Sequence, residues 1–168
     1  MNSTRIAVFL TIALLAVSVL LIASFAYSPQ AASQIQLQSS IVGSTPDTPI
    51  DGIASGGAPW VVTAGEAGLA PNGMINVNMV GLLISAGPFD GTTGPVTEVL
   101  ASLVCQGTGI VAASTDAVPL APNGNAHINQ MVTLPSTCAG PIILIRIYAT
   151  TSGVLPSQPW IAATGFAG

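Results

Sequence analysis

From Trp60 to the C-terminus the chain alternates between short apolar runs and breaks made of Gly, Pro and Asn-Gly. Runs of four to ten residues with period-2 alternation, bounded by turn residues, mark β-strands. Seven strands are predicted, near 59–65, 74–84, 96–104, 109–117, 125–134, 141–149 and 158–164. Segments such as VNMVGLLI, VTEVLASLV and IILIRIYA carry the β-branched and apolar side chains that suit a pleated, half-buried surface. Pro and Gly recur too often for helices of ordinary length. Asn72-Gly73 and Asn123-Gly124, each preceded by Leu-Ala-Pro, are strong turn dipeptides, and Asp90-Gly91 sits in a longer turn closed by prolines.

Seven strands in about 110 residues predict an all-β domain, a two-sheet antiparallel sandwich of immunoglobulin-like architecture. A closed barrel is the alternative. No tryptophan lies between Cys105 and Cys138, so the true immunoglobulin spacing is absent. Short echoes recur along the domain: LAPNG at 69–73 and 120–124, Pro59-Trp60 against Pro159-Trp160, and Gly94-Pro95 against Gly140-Pro141. Reuse of one turn-then-strand grammar explains them better than two related halves.

The N-terminus follows a different pattern. Ile6 to Tyr27 runs 22 residues without a charge, after a short segment whose one basic side chain is Arg5. This predicts an N-terminal hydrophobic helix. Its length lies between a signal-peptide core and a spanning helix. Small residues before Tyr27 (Ser24, Ala26) and before Gln34 (Ala31, Ser33) offer cleavage sites. Residues 1–33 are therefore either a cleaved signal peptide or a retained signal anchor with Arg5 on the cytoplasmic side. Residues 34–58, rich in Pro, Gly, Ser and Gln, are expected to be a linker, although Gln34 to Val42 alternates loosely enough for an edge strand. Residues 59–168 are the β-domain. On either reading the domain is extracellular or at the cell surface. In that oxidising setting Cys105 and Cys138 are expected to pair, joining the end of the third strand to the turn before the sixth.

Composition narrows the function. Only 5% of the residues are charged, and there is no lysine. Outside the leader one cation, Arg146, faces six carboxylates, a net charge of −5. Nucleic-acid binding needs phosphate-neutralising cations, so no nucleic-acid partner is expected. Anionic headgroups are disfavoured for the same reason, which leaves membrane contact to the N-terminal segment, if it is uncleaved. The surface must be solubilised by hydroxyls and amides.

Candidate chemistry is sparse. His127 is the sole histidine, and no Gly-x-Ser-x-Gly elbow supplies a nucleophile for it. The carboxylates stand singly; a glycosidase would need two to meet across a cleft, and Glu66 with Glu98 is the pair to consider. Asp90 with Thr92 and Thr93 is read as a plain turn rather than a calcium site. Two cysteines and one distant histidine are a poor zinc set. No catalytic, cofactor-binding or metal residues are therefore assigned, and no cofactor. Arg146 stands alone in an apolar strand; if its face is buried it should pair with a carboxylate such as Glu98. Trp60 and Trp160 are expected to cap the core, with a carbohydrate platform as the sharper reading.

The segments PWVV, Gly65-Glu66-Ala67, the first Asn-Gly turn, VGLLI, ASLVC, the Gly-Pro after the second cysteine, ILIR and PWIAATG resemble a group of small secreted bacterial proteins of unknown function. The likeness covers about residues 52–166, with ASLVC and WIAATG its more specific parts. It implies an exported β-domain and carries no activity. The expectation is a non-enzymatic, extracellular or cell-surface structural or interaction protein, with self-association or a cell-surface partner. The alternative is a binding module for a small apolar or carbohydrate ligand, and a secreted hydrolase ranks last.

Overall fold

The computed structural model describes residues 36–165. The apolar stretch 6–27, expected to be the leader helix, lies outside them. Among the described residues the fold is all-β, without helices. Twelve strands appear: β1 (Leu37–Gly43), β2 (Trp60–Val61), β3 (Ala64–Leu69), β4 (Met74–Val80), β5 (Leu83–Ile84), β6 (Val96–Cys105), β7 (Val111–Ser114), β8 (Val118–Pro119), β9 (Ala126–Met131), β10 (Pro141–Thr150), β11 (Gly153–Val154) and β12 (Trp160–Thr164). All but β2 and β5, which pair with each other, belong to one antiparallel sheet, ordered β7-β6-β10-β12-β1-β3-β4-β9. Short β8 and β11 are added on β6 and β10.

The sheet curls. β8 lies against β9, which brings its two ends together. There the side chain of Gln130 accepts from the Asp116 N–H at 2.8 Å. The turn between β8 and β9 carries the chain from one end of the sheet to the other. It is the second LAPNG, and its hydrogen bonds repeat those of the first. In each, the Gly N–H donates to the Ala carbonyl, and the Asn side chain accepts from the residue after Gly. This is a proline-started turn with glycine in the left-handed region at both Gly73 and Gly124.

Inside the curl lies the main core, built by period-2 alternation. On β4, Ile75, Val77 and Met79 are buried while Asn76, Asn78 and Val80 are exposed. Val99, Ala101 and Leu103 of β6 and Ile143, Ile145 and Ile147 of β10 complete it with Ile128, Ile161 and Trp60. β6, β10 and β12 are buried on their outer side as well. There Val104, Leu144, Trp160 and Ala163 form a second cluster under Ile50 and Ile53 of the 44–58 loop. A bulge between Ile145 and Arg146, opposite Trp160–Ala162, lets Ile161 and Ala162 both join the core while Trp160 and Ala163 both face the outer cluster.

Four expectations need correction. The described part of the expected linker 34–58 is not a plain linker around a possible edge strand: β1 lies inside the sheet, and Ile50 and Ile53 beyond it cover the outer side of β6, β10 and β12. The predicted strand 74–84 breaks at Gly81, whose φ of 67° ends β4. The predicted strand 59–65 is two strands, β2 and β3, separated at Val62–Thr63. Arg146 does not pair with Glu98. Its Nε donates to the Gln158 carbonyl at 2.6 Å, and its terminal nitrogens reach Ser102 Oγ and the Ser157 carbonyl. Glu98 lies opposite Ala149 rather than Arg146. Backbone carbonyls and a hydroxyl thus satisfy a half-buried guanidinium whose pKa burial pushes below its ordinary value.

The disulfide forms as expected. Cys105, at the end of β6, is bonded to Cys138 in the loop before β10, with the Cα atoms 5.0 Å apart.

Candidate interaction face

The two halves of the sheet treat their outer surfaces differently. Around β6, β10 and β12 the outer side is covered. Around β1, β3, β4 and β9 no described loop covers it. Each of these strands puts apolar side chains inward, so its outward positions can be polar without disturbing the core. Strand register then aligns them. Ser40 lies opposite Glu66, Glu66 opposite Asn78, and Asn78 opposite His127. One step along, Gln38, Gly68, Asn76 and Asn129 form a parallel row.

Neighbouring strands lie about 4.8 Å apart, so Glu66 and His127, two strands apart, are separated by about 10 Å of backbone spacing with Asn78 between them. That is too far for a direct hydrogen bond between ordinary rotamers. Ser40 Oγ donates to the Gly165 carbonyl at 2.8 Å. Among the described residues, the side chains of Gln38, Glu66, Asn76, Asn78, His127 and Asn129 make no hydrogen bond to the protein, and all are exposed. Gly68 leaves the second row low, and Gln38, Ser40, Glu66, Asn78 and Val80 line a shallow depression of about 630 Å³ beside it. The face therefore offers amide donors and acceptors, one carboxylate and one imidazole, on a rigid four-stranded platform.

The other candidates are dispersed. Glu66 and Glu98 stand on β3 and β6, with β1, β12 and β10 between them in the sheet. Asp90 closes a turn, its N–H donating to the Gly87 carbonyl at 3.2 Å. No group of three His, Cys, Asp or Glu side chains among the described residues is placed to hold a metal ion. Trp60 and Trp160 are each 5% exposed, which removes them as a stacking platform; Trp60 belongs to the main core and Trp160 to the outer cluster. Asp51, unremarkable in the sequence, accepts from the backbone N–H groups of Gly107, Thr108 and Gly109 at 3.0, 3.2 and 2.9 Å. It pins the covering loop to the β6–β7 turn, beside the disulfide.

Comparison with protein-family models, with curated proteins and with solved structures gave no match.

Proposed function

We propose that this chain is an exported, non-enzymatic domain that works at the outside of the cell as a structural or interaction protein, with the outer face of β1, β3, β4 and β9 as its contact surface. The observation that carries this reading is the unengaged polar row Glu66–Asn78–His127 and its neighbours, on a broad sheet surface that no described loop covers. The Cys105–Cys138 bridge is consistent with an oxidising extracellular setting. The curled sheet is read as a two-sheet sandwich in which β1 is the corner strand. Its first half pairs with β3 and its second half with β12, as strands that switch sheets do.

A second reading has its own support. The hydroxyl and amide side chains around the 630 Å³ depression suit a polyhydroxylated ligand, so the partner would be a surface polysaccharide. Without an exposed tryptophan, recognition would rest on hydrogen bonds alone.

Binding of the purified exported protein to washed producer cells tests both. Asn78→Arg and Asn129→Arg place a bulky cation on the face without touching the core. Each should lower cell binding by at least about tenfold, the scale of a central interface residue. Unchanged binding by both variants would sink the assignment of this face. Competition by soluble wall polysaccharide would select the second reading over a protein partner.

A further inference from the structure

We infer that β1 is an exchangeable strand, and that the slot between β3 and β12 can be filled by β1 of a second copy of this chain. The inference stands apart from the polar face and rests on topology.

β1 is the first described strand in the chain, yet it lies in the interior of the sheet. Among the described residues it supplies the ladder pairing that joins the β3-β4-β9 half to the β12-β10-β6 half on the side away from the β8–β9 closure. Leu37 to Ser40 pair with β3, and Ile41 to Gly43 pair with β12. Without it, the edges of β3 and β12 that it pairs, over four and three residues, would be left open. An open edge of that kind invites any compatible strand.

What holds β1 is mostly backbone. Of its seven residues only Ile41 is buried in the core, and none is charged. Ladder hydrogen bonds do not distinguish the chain's own β1 from an identical strand of a neighbour. The same applies at Ser44, whose N–H donates to the Ile161 carbonyl and whose carbonyl accepts from the Trp60 N–H. An exchanged β1 would therefore remake every contact it leaves, as in domain swapping.

Connection to the body runs through Thr45-Pro46-Asp47-Thr48. In the closed form this is a tight turn, with the Thr48 hydroxyl donating to the Thr45 carbonyl and Asp47 at φ 58°, in the left-handed region. Beyond it the chain is fixed to the body by Asp51 and by the bond from the Gly56 N–H to the Trp160 carbonyl at 2.8 Å. The hinge is thus short, exposed and tightly turned when closed, and Pro46 favours an extended path when it opens. Short hinges invite exchange. Because donor and slot are different surfaces of one chain, exchange in one direction leaves a free donor at one end and a free slot at the other, so it propagates as a linear assembly unless two copies close reciprocally.

The test uses a matched thiol pair. Ser40 and Glu66 are exposed and directly opposite across β1 and β3. Chains carrying only Ser40→Cys and chains carrying only Glu66→Cys are unfolded together in urea at acidic pH. Thiolate is scarce there, so the native bridge does not exchange. They are refolded at high protein concentration and then mildly oxidised. Intact mass should show covalent heterodimer in at least about tenfold excess over either homodimer, rising with the concentration during refolding. The double variant, which should bridge within a monomer on dilution, verifies the pairing geometry. Heterodimer no more abundant than homodimer overturns the inference. Unmodified protein refolded at the same concentrations gives a thiol-free reading by light scattering. Dimers or longer species that persist on dilution support exchange, and monomer throughout overturns it.

Discussion

Removing the carboxylate of Asp51 should loosen the covering loop and lower the stability of the whole domain by a computable amount. Three N–H groups converge on its two oxygens, those of Thr108 and Gly109 on one and that of Gly107 on the other. Hydrogen bonds to a charged group contribute about 1.5–3 kcal/mol each when sheltered. Here Gly107, Thr108 and Gly109 are exposed, so water replaces the carboxylate once it is gone. Each bond then falls toward about 0.5–1 kcal/mol, for a total of about 2 kcal/mol. Backbone conformation adds to this. Asp51 sits at φ 49°, where Asp and Asn are tolerated and Ala costs about 1 kcal/mol more. Asp51→Ala should therefore destabilise by about 3 kcal/mol. Asp51→Asn should cost only about 1 kcal/mol, since its amide oxygen can keep the Thr108 and Gly109 bonds while the charge is lost.

Urea unfolding with the disulfide intact measures both values, provided the slope stays constant between variants. Amide exchange at residues 107–109 reports the local effect and should accelerate in both variants. An Asp51→Ala protein within about 0.5 kcal/mol of the parent, the spread of ordinary surface substitutions, would refute the claim that this carboxylate clamps the loop. So would an Asn variant less stable than the Ala variant.

Two further outcomes follow from covalent and backbone geometry. The bridge between Cys105 and Cys138 closes a loop with a sequence separation of 33 residues; in the chain-entropy account its removal by a Cys105→Ser/Cys138→Ser double substitution should destabilise by about 4 kcal/mol, and a urea midpoint unchanged by reduction would contradict this. Glycine substitutions should separate strain from clash. At Gly124, φ is 77° and an added Cβ would lie 2.5 Å from the Leu82 nitrogen, so Gly124→Ala should cost at least about 3 kcal/mol; at Gly52, φ is 80° with nothing nearby, so Gly52→Ala should cost only about 1 kcal/mol. Equal thermal unfolding midpoints for the two variants would deny that the Gly124 turn is packed against the β4–β5 connection.

The strands that sequence reasoning places well are those whose side chains do the packing. β4, β6 and β10 alternate or run apolar because they face the core, and Gly-Pro or Asn-Gly marks their ends. β1 reads as no more than a possible edge strand because Gln38 and Ser40 point out of the core, Ser39 is polar on its inner side, and its stability lies in the ladder. The predicted strand 59–65 stops at Gly65, although Gly65 and Gly68 both stand in the ladder with β4 and β3 runs on to Leu69. Gly81 hid the opposite error, since VNMVGLLI reads as one strand while the left-handed residue divides it. At Arg146 the carboxylate rule for buried cations fails because carbonyls of Ser157 and Gln158 reach it from a loop. The polar row depends wholly on register. Glu66, Asn78 and His127 are scattered in the chain, and nothing short of strand pairing aligns them.

Scarcity of charge acquires a physical sense from this arrangement. A surface of lysines and glutamates resists contact, because ions lose more hydration on burial than amides or hydroxyls and long charged side chains lose more rotamer freedom. Among the described residues, the open face of β1, β3, β4 and β9 has one carboxylate, Glu66, one imidazole, His127, and no Lys or Arg. Asn, Gln and Ser on rigid strands keep it wettable, yet each can exchange water for a partner's polar group at small cost. Edge protection by lysine is absent for the same reason, and the chain instead closes its sheet by bringing β8 against β9 and by laying β1 between β3 and β12. A fold so arranged prevents promiscuous pairing by geometry rather than by repulsion. Any event that withdraws β1 removes that protection at its centre, where Glu66 is the one charged side chain on the strands left open.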